Sequence, residues 1–154
     1  MGETGRPPLS PALLLVMLGG GLRTRLERDL RAEGLSLRHF SALGHLAHQP
    51  GLSYSELARR DGITTQSMQS TLLQLQDMGA VERLTAPGRG RAADLKVTAA
   101  GEQLLGRCRV VLSAIDAELA AQLGAEAADG LAGQVLQLLA ALADDPSEVT
   151  RKSS

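Results

Sequence analysis

Between Thr64 and Gln74 the chain sets Thr64, Thr65, Gln66, Ser67, Gln69 and Ser70 beside Leu73, with no carboxylate among them. Amides and hydroxyls of this kind suit nucleic acid. A glutamine amide pairs bidentately with adenine N6 and N7, and a serine or threonine hydroxyl serves as donor or acceptor to base edges and phosphates. At 100° per residue, Met68, Leu72 and Leu75 share one helix face, while Gln66, Gln69, Ser70 and Leu73 fall on or near the other. An outward Leu73 suits a thymine methyl. The plain alternative is a solvated polar face, and the arginines further along the chain argue against it. Arg83, Arg89 and Arg91 stand on and beside a loop, Ala86-Pro-Gly-Arg-Gly-Arg-Ala-Ala93. Guanidinium groups neutralise phosphates and enter a narrow minor groove, whereas a glycine-flanked surface arginine adds little to fold stability.

Other reactive side chains carry weaker signals. Arg59 and Arg60 divide evenly between phosphate contact and surface solubility. His45 and His48 stand three apart on one helix, but no cysteine or carboxylate accompanies them at ligand spacing, so they read as an ordinary surface or interface pair. As imidazoles they remain able to titrate in an effector pocket. Cys108 lies between Arg107 and Arg109, which favour a thiolate; a small buried residue is the better reading. Neither a phosphate-cradling glycine loop, nor a nucleophile elbow, nor a His/Cys/Asp arrangement is present, so nothing positive supports an enzyme, a metal centre or a cofactor.

These residues need a scaffold, and the chain spells one out. Apolar positions Leu14, Met17, Leu18, Leu22, Leu26 and Leu30 predict a helix over 12–32, with a kink expected at Gly19-Gly20-Gly21. Ser36 can cap a helix over 37–48, which Gln49-Pro50-Gly51 stops. Ser53-Tyr-Ser-Glu56 fits a capping box opening a short helix, 54–60. After the Asp61-Gly62 turn, Thr64 or Thr65 caps the glutamine-bearing helix, which ends at Met78-Gly79. Strands over 80–85 and 94–98 flank the arginine loop, and helices return over 99–122 and 125–143. Three helices and a hairpin form the order of a winged helix-turn-helix, in which the third helix enters the major groove and the wing touches the backbone or minor groove.

The charge distribution agrees. Formal net charge is −1, yet residues 1–109 carry 14 Lys and Arg against 10 Asp and Glu, and 110–150 carry no basic residue. The earlier part therefore suits a polyanion and the later part another task. One Phe, one Tyr and no Trp exclude the aromatic platforms of single-strand binders. One cysteine asks for no oxidising compartment, and Leu13 to Leu18 is too short to span a membrane. A cytoplasmic protein is expected.

Four stretches resemble successive signatures of the MarR family: Leu37-Arg-His-Phe-Ser-Ala-Leu43, Leu52-Ser-Tyr-Ser-Glu-Leu-Ala58, Leu75-Gln-Asp-Met-Gly-Ala-Val-Glu-Arg83 and Leu95-Lys-Val-Thr-Ala-Ala-Gly-Glu102. They match in order and spacing over roughly 35–105, and the flanking helices are similar to the family's dimerisation helices. The resemblance implies a dimer on a pseudo-palindromic operator, usually a repressor, often released by a small ligand held between the dimerisation and DNA-binding parts. Two departures stand out. The wing acid that commonly orients an arginine aligns with Arg89, leaving Arg91 as the retained arginine, and Ser70 stands where the recognition helix often has an arginine.

The expected fold is mostly α with a small β-hairpin wing, a winged helix-turn-helix plus a helical dimerisation region. Its parts are a tail and dimerisation helix over 1–34, the DNA-binding unit over 35–99, C-terminal dimerisation helices over 100–145, and a tail over 146–154. The expected partners are double-stranded DNA, a second copy of the chain and a small-molecule effector, with no cofactor and no membrane. The competing reading is a winged-helix dimerisation or protein-interaction module without DNA binding, favoured by the near-neutral charge and by Ser70.

Overall fold

The computed structural model describes residues 10–84 and 95–143. Its elements run α1 Pro11–Ala32, α2 Leu37–His48, α3 Tyr54–Asp61, α4 Thr65–Asp77, β1 Val81–Arg83, β2 Leu95–Val97, α5 Ala99–Leu123 and α6 Ala125–Ala143. The described residues up to Leu112 form one compact unit, and those from Ser113 onward form a second.

Local chemistry sets the boundaries in the first unit. The Ser36 hydroxyl accepts from the His39 amide at 3.1 Å, starting α2. At α3 the capping box is complete: Ser53 Oγ accepts from the Glu56 amide at 3.3 Å, and the Ser53 amide donates back to Glu56 Oε2 at 2.8 Å. Glu56 is held below the usual carboxylate range, first by the Ser53 hydroxyl and then by that amide. Gly62 ends α3 with φ 65°, a left-handed conformation that costs glycine nothing. The expected kink at Gly19 to Gly21 does not interrupt α1, which runs as one helix through the triplet. Three glycines weaken a helix without breaking its hydrogen-bond ladder. Thr24 Oγ1 donates to the Gly20 carbonyl at 3.0 Å on the solvent side, and Arg23 pairs with Glu27 one turn on at 2.9 Å.

One apolar core ties the first unit together. Leu43 and Leu46 of α2, Leu57 of α3, Met68, Leu72 and Leu75 of α4, Val81 and Leu95 of the hairpin, and Leu105 and Cys108 of α5 are all buried in it, with Leu30 of α1. Each leucine so buried contributes about 1.5–3 kcal/mol relative to exposure. The hairpin is antiparallel, pairing Val81 with Val97, Glu82 with Lys96 and Arg83 with Leu95. One bond attaches it to the turn after α2, and one further rung extends its own ladder. The Gly51 amide, in the turn after α2, donates to the Leu95 carbonyl at 2.9 Å, and the Thr98 amide donates to the Ala80 carbonyl at 3.0 Å.

In the second unit, α5 ends at Leu123, Gly124 takes φ 86°, and α6 begins at Ala125. Leu136, Leu138, Leu139 and Leu142 of α6 are exposed. Among the described helices, none is long and apolar enough to cross a membrane.

Candidate nucleic-acid interface

The candidate interface centres on α4. Thr64 is its N-cap: Oγ1 accepts from the Ser67 amide at 3.1 Å and donates to Ser67 Oγ at 2.9 Å. These two predicted contact residues therefore first serve the helix start, and Ser67 is half-buried. Thr71 turns inward and returns its hydroxyl to the Ser67 carbonyl at 3.1 Å. Met68, Leu72 and Leu75 lie in the core, as the periodicity requires. Thr65, Gln66, Gln69 and Ser70 are exposed, and Leu73, 48% exposed, stands with them. The exposed half of Leu73 is open to solvent beside these polar groups. The first amides of α4 share its positive dipole end, which favours phosphate there.

Gln74, on the flank of α4, takes part in a link that sequence reasoning missed. His39 Nε2 donates to Gln74 Oε1 at 2.9 Å across the α2–α4 contact. His39 is buried, and its Nδ1 has no hydrogen-bond partner among the described residues. The Nε2–H tautomer leaves a lone pair, rather than a proton, unsatisfied.

Arg83 closes β1 at the base of the wing. Its Nη2 donates to the Tyr54 hydroxyl at 2.7 Å, and its guanidinium carbon sits 5.6 Å from the centre of the Tyr54 ring. Sequence reasoning missed Tyr54, because 29 positions separate it from Arg83 and no local pattern links them. Glu82, next to Arg83, is paired across the hairpin with Lys96 at 3.1 Å. Arg60 donates to Gln49 Oε1 at 2.6 Å, while Arg59 is exposed. Arg89 and Arg91 lie outside the described residues.

The hairpin base is fixed by α5. Thr98 Oγ1 donates to the Gly79 carbonyl at 2.6 Å and accepts from the Gly101 amide at 3.1 Å. A Cβ on Gly101 would stand 2.2 Å from the Ala80 carbonyl oxygen and 2.6 Å from Val97 Cγ1, so only glycine lets α5 approach the hairpin this closely.

The remaining candidates fall elsewhere. The histidine pair lacks a carboxylate in sequence, but the fold supplies one to His45: Asp61 Oδ1 lies 3.3 Å from its Nε2 and accepts from Ser41 Oγ at 2.6 Å. Among the described residues no group of three His, Cys, Asp or Glu is arranged to hold a metal ion. Cys108 is buried, and desolvation pushes its thiol up, outweighing the nearby Arg107.

Comparison with known proteins agrees with this architecture. A sequence model of the MarR family matches residues 33–92. The HTH-type transcriptional repressor Rv2887 of Mycobacterium tuberculosis is 38% identical over 125 residues, covering 81% of this chain and 88% of the relative. The crystal structure of Mycobacterium tuberculosis MarR family protein Rv2887 in complex with DNA superposes with a TM-score of 0.73 at 34% identity, over 86% of this chain and 98% of that one. The complex of the same protein with salicylic acid gives 0.68 at 34% identity, over 88% and 99%. With its capped α4, its hairpin seated on α5 and a relative of this identity matched over most of both chains, the chain belongs to the MarR family.

Proposed function

We propose that the chain is a homodimeric transcriptional repressor whose residues 35–99 read duplex DNA, α4 lying in the major groove and the hairpin acting as the wing. The observation that carries this reading is the division of α4. Gln66, Gln69, Ser70 and Leu73 face water while Met68, Leu72 and Leu75 fill the core, on a fold that superposes on a relative solved with DNA. In this arrangement Gln66, Gln69 and Ser70 meet base edges, Leu73 a thymine methyl, and Thr64, Thr65 and Ser67 the phosphates at the helix start. Arg83, Arg89 and Arg91 supply the wing's positive charge.

Two copies place two such units on half-sites about one helical turn apart. A small effector then acts by differential affinity: binding best to a state in which the spacing or tilt of the units no longer fits successive grooves, it lowers DNA affinity. The salicylic acid complex of the relative makes small aromatic carboxylates the first compounds to try. On this reading the chain works in the cytoplasm, as a regulator of a bacterial chromosome would, and the role needs no catalytic step.

The test is fluorescence anisotropy of the protein against duplex from its own upstream region. Binding should fall steeply with added salt, and if Arg91 contacts one phosphate, Arg91→Ala should lower the magnitude of the slope of log K against log salt by about 0.9. Gln69→Ala should relax sequence preference at one position per half-site, with a cost of about 1–3 kcal/mol. Absence of duplex binding at low salt would favour the protein-interaction module instead.

A further inference from the structure

We infer that Tyr54 is a positioning residue for DNA binding, holding the Arg83 guanidinium in the orientation that meets a phosphate at the base of the wing; this rests on the reading proposed above. Free arginine side chains sample many rotamers, and a phosphate contact made by such a side chain must first order it. Here Arg83 is exposed, but its head group is fixed at two points, the 2.7 Å hydrogen bond to the Tyr54 hydroxyl and the ring 5.6 Å away. The platform itself is firm. Tyr54 is the first residue of α3, directly after the capping serine, and its ring is half-buried against the apolar core. One guanidinium N–H is used by the hydroxyl, and the planar fork retains further donors for a phosphate oxygen.

The charges around the pair point the same way. Glu82 is matched by Lys96 at 3.1 Å, and Glu56 turns its carboxylate back onto Ser53. Among the described residues Arg83 has no carboxylate partner. A tyrosine hydroxyl holds an arginine without neutralising it, whereas an aspartate or glutamate in the same place would cancel the attraction to phosphate. The pair therefore joins the helix-turn-helix to the wing through the group that touches the DNA backbone.

The experiment is a double-mutant cycle on the full-length dimer, using a duplex selected by the parent protein from a random-sequence pool. Tyr54→Phe should weaken binding about three- to tenfold, the range expected when one long side chain must be ordered on binding instead of beforehand, with the variant still folded and dimeric at the assay temperature. In an Arg83→Ala background the same substitution should change affinity by less than about twofold. Parent-like affinity for Tyr54→Phe, or an equal loss with and without Arg83, overturns the inference while leaving the DNA-binding reading intact. If the parent recovers no duplex from the pool, both fall together.

Discussion

Two glycines show how much a single Cβ decides. Gly101 sits where a methyl group would meet the Ala80 carbonyl at 2.2 Å, a backbone atom that cannot swing aside. Gly101→Ala should therefore destabilise the fold by about 1–3 kcal/mol despite the better helix propensity of alanine. Gly44, within α2, has no heavy atom within 4 Å of its would-be Cβ, so Gly44→Ala should stabilise by about 0.5–1 kcal/mol. Urea titrations of the two variants check both signs. Cys108 makes a second test at this scale. Burial raises its thiol pKa and the Arg107 charge only partly opposes this, so the thiolate needed for disulfide exchange is scarce as well as shielded. Ellman's reagent at pH 8 should react roughly two orders of magnitude more slowly with native protein than with urea-unfolded protein. Equal rates would mean an accessible thiol in place of the buried one.

At the scale of elements, the capping box of α3 carries a pH dependence whose sign follows from its geometry. Glu56 accepts from the Ser53 hydroxyl and amide as a carboxylate, which depresses its folded pKa. Its contribution is thus full above the ordinary glutamate pKa and disappears as pH falls through the lower folded value. Comparing the parent with Glu56→Gln in urea from pH 6 to pH 3, the stability difference should be present at the neutral end and close toward the acidic end. A difference that stays constant would mean that the carboxylate is not the stabilising form. Elements of this kind are legible in the sequence because their signals are local. Ser36, Ser53 and Thr64 cap the helices they precede, and Gly62 and Gly79 adopt the positive φ that ends them. The outward face of α4 is legible too, since 3.6-residue periodicity separates Leu72 from Leu73 without reference to anything distant. Illegible are the links between elements: Tyr54 with Arg83, His39 with Gln74, and Asp61 with Ser41 and His45. Each joins residues far apart in sequence through polar atoms that carry no periodicity, so only the packing of the helices brings them together.

For the molecule as a whole, the question is what covers the apolar surface left in water. Leu13 through Leu18 of α1 are all exposed, Val16 at 72%, and on α6 Leu136, Leu138, Leu139 and Leu142 are exposed, the last at 74%. Contiguous apolar surface on this scale marks an interface, and no described helix has the length and apolarity to enter a bilayer. A second copy of the chain suits both segments, since a two-fold partner brings identical apolar surface and two reading units at once. Light scattering should therefore give twice the 16.1 kDa chain mass, and the urea midpoint should rise with protein concentration, as it does when unfolding and dissociation are coupled. Placing a carboxylate in that surface leaves it desolvated and unpaired, at several kcal/mol. The combined substitution Leu139→Asp and Leu142→Asp should yield a monomer at micromolar concentration. Because two linked half-site contacts bind far more tightly than either alone, its affinity for the duplex should drop by a factor of about 100 or more. A variant that remains dimeric with parental DNA affinity would place the two-fold contact elsewhere than on α6.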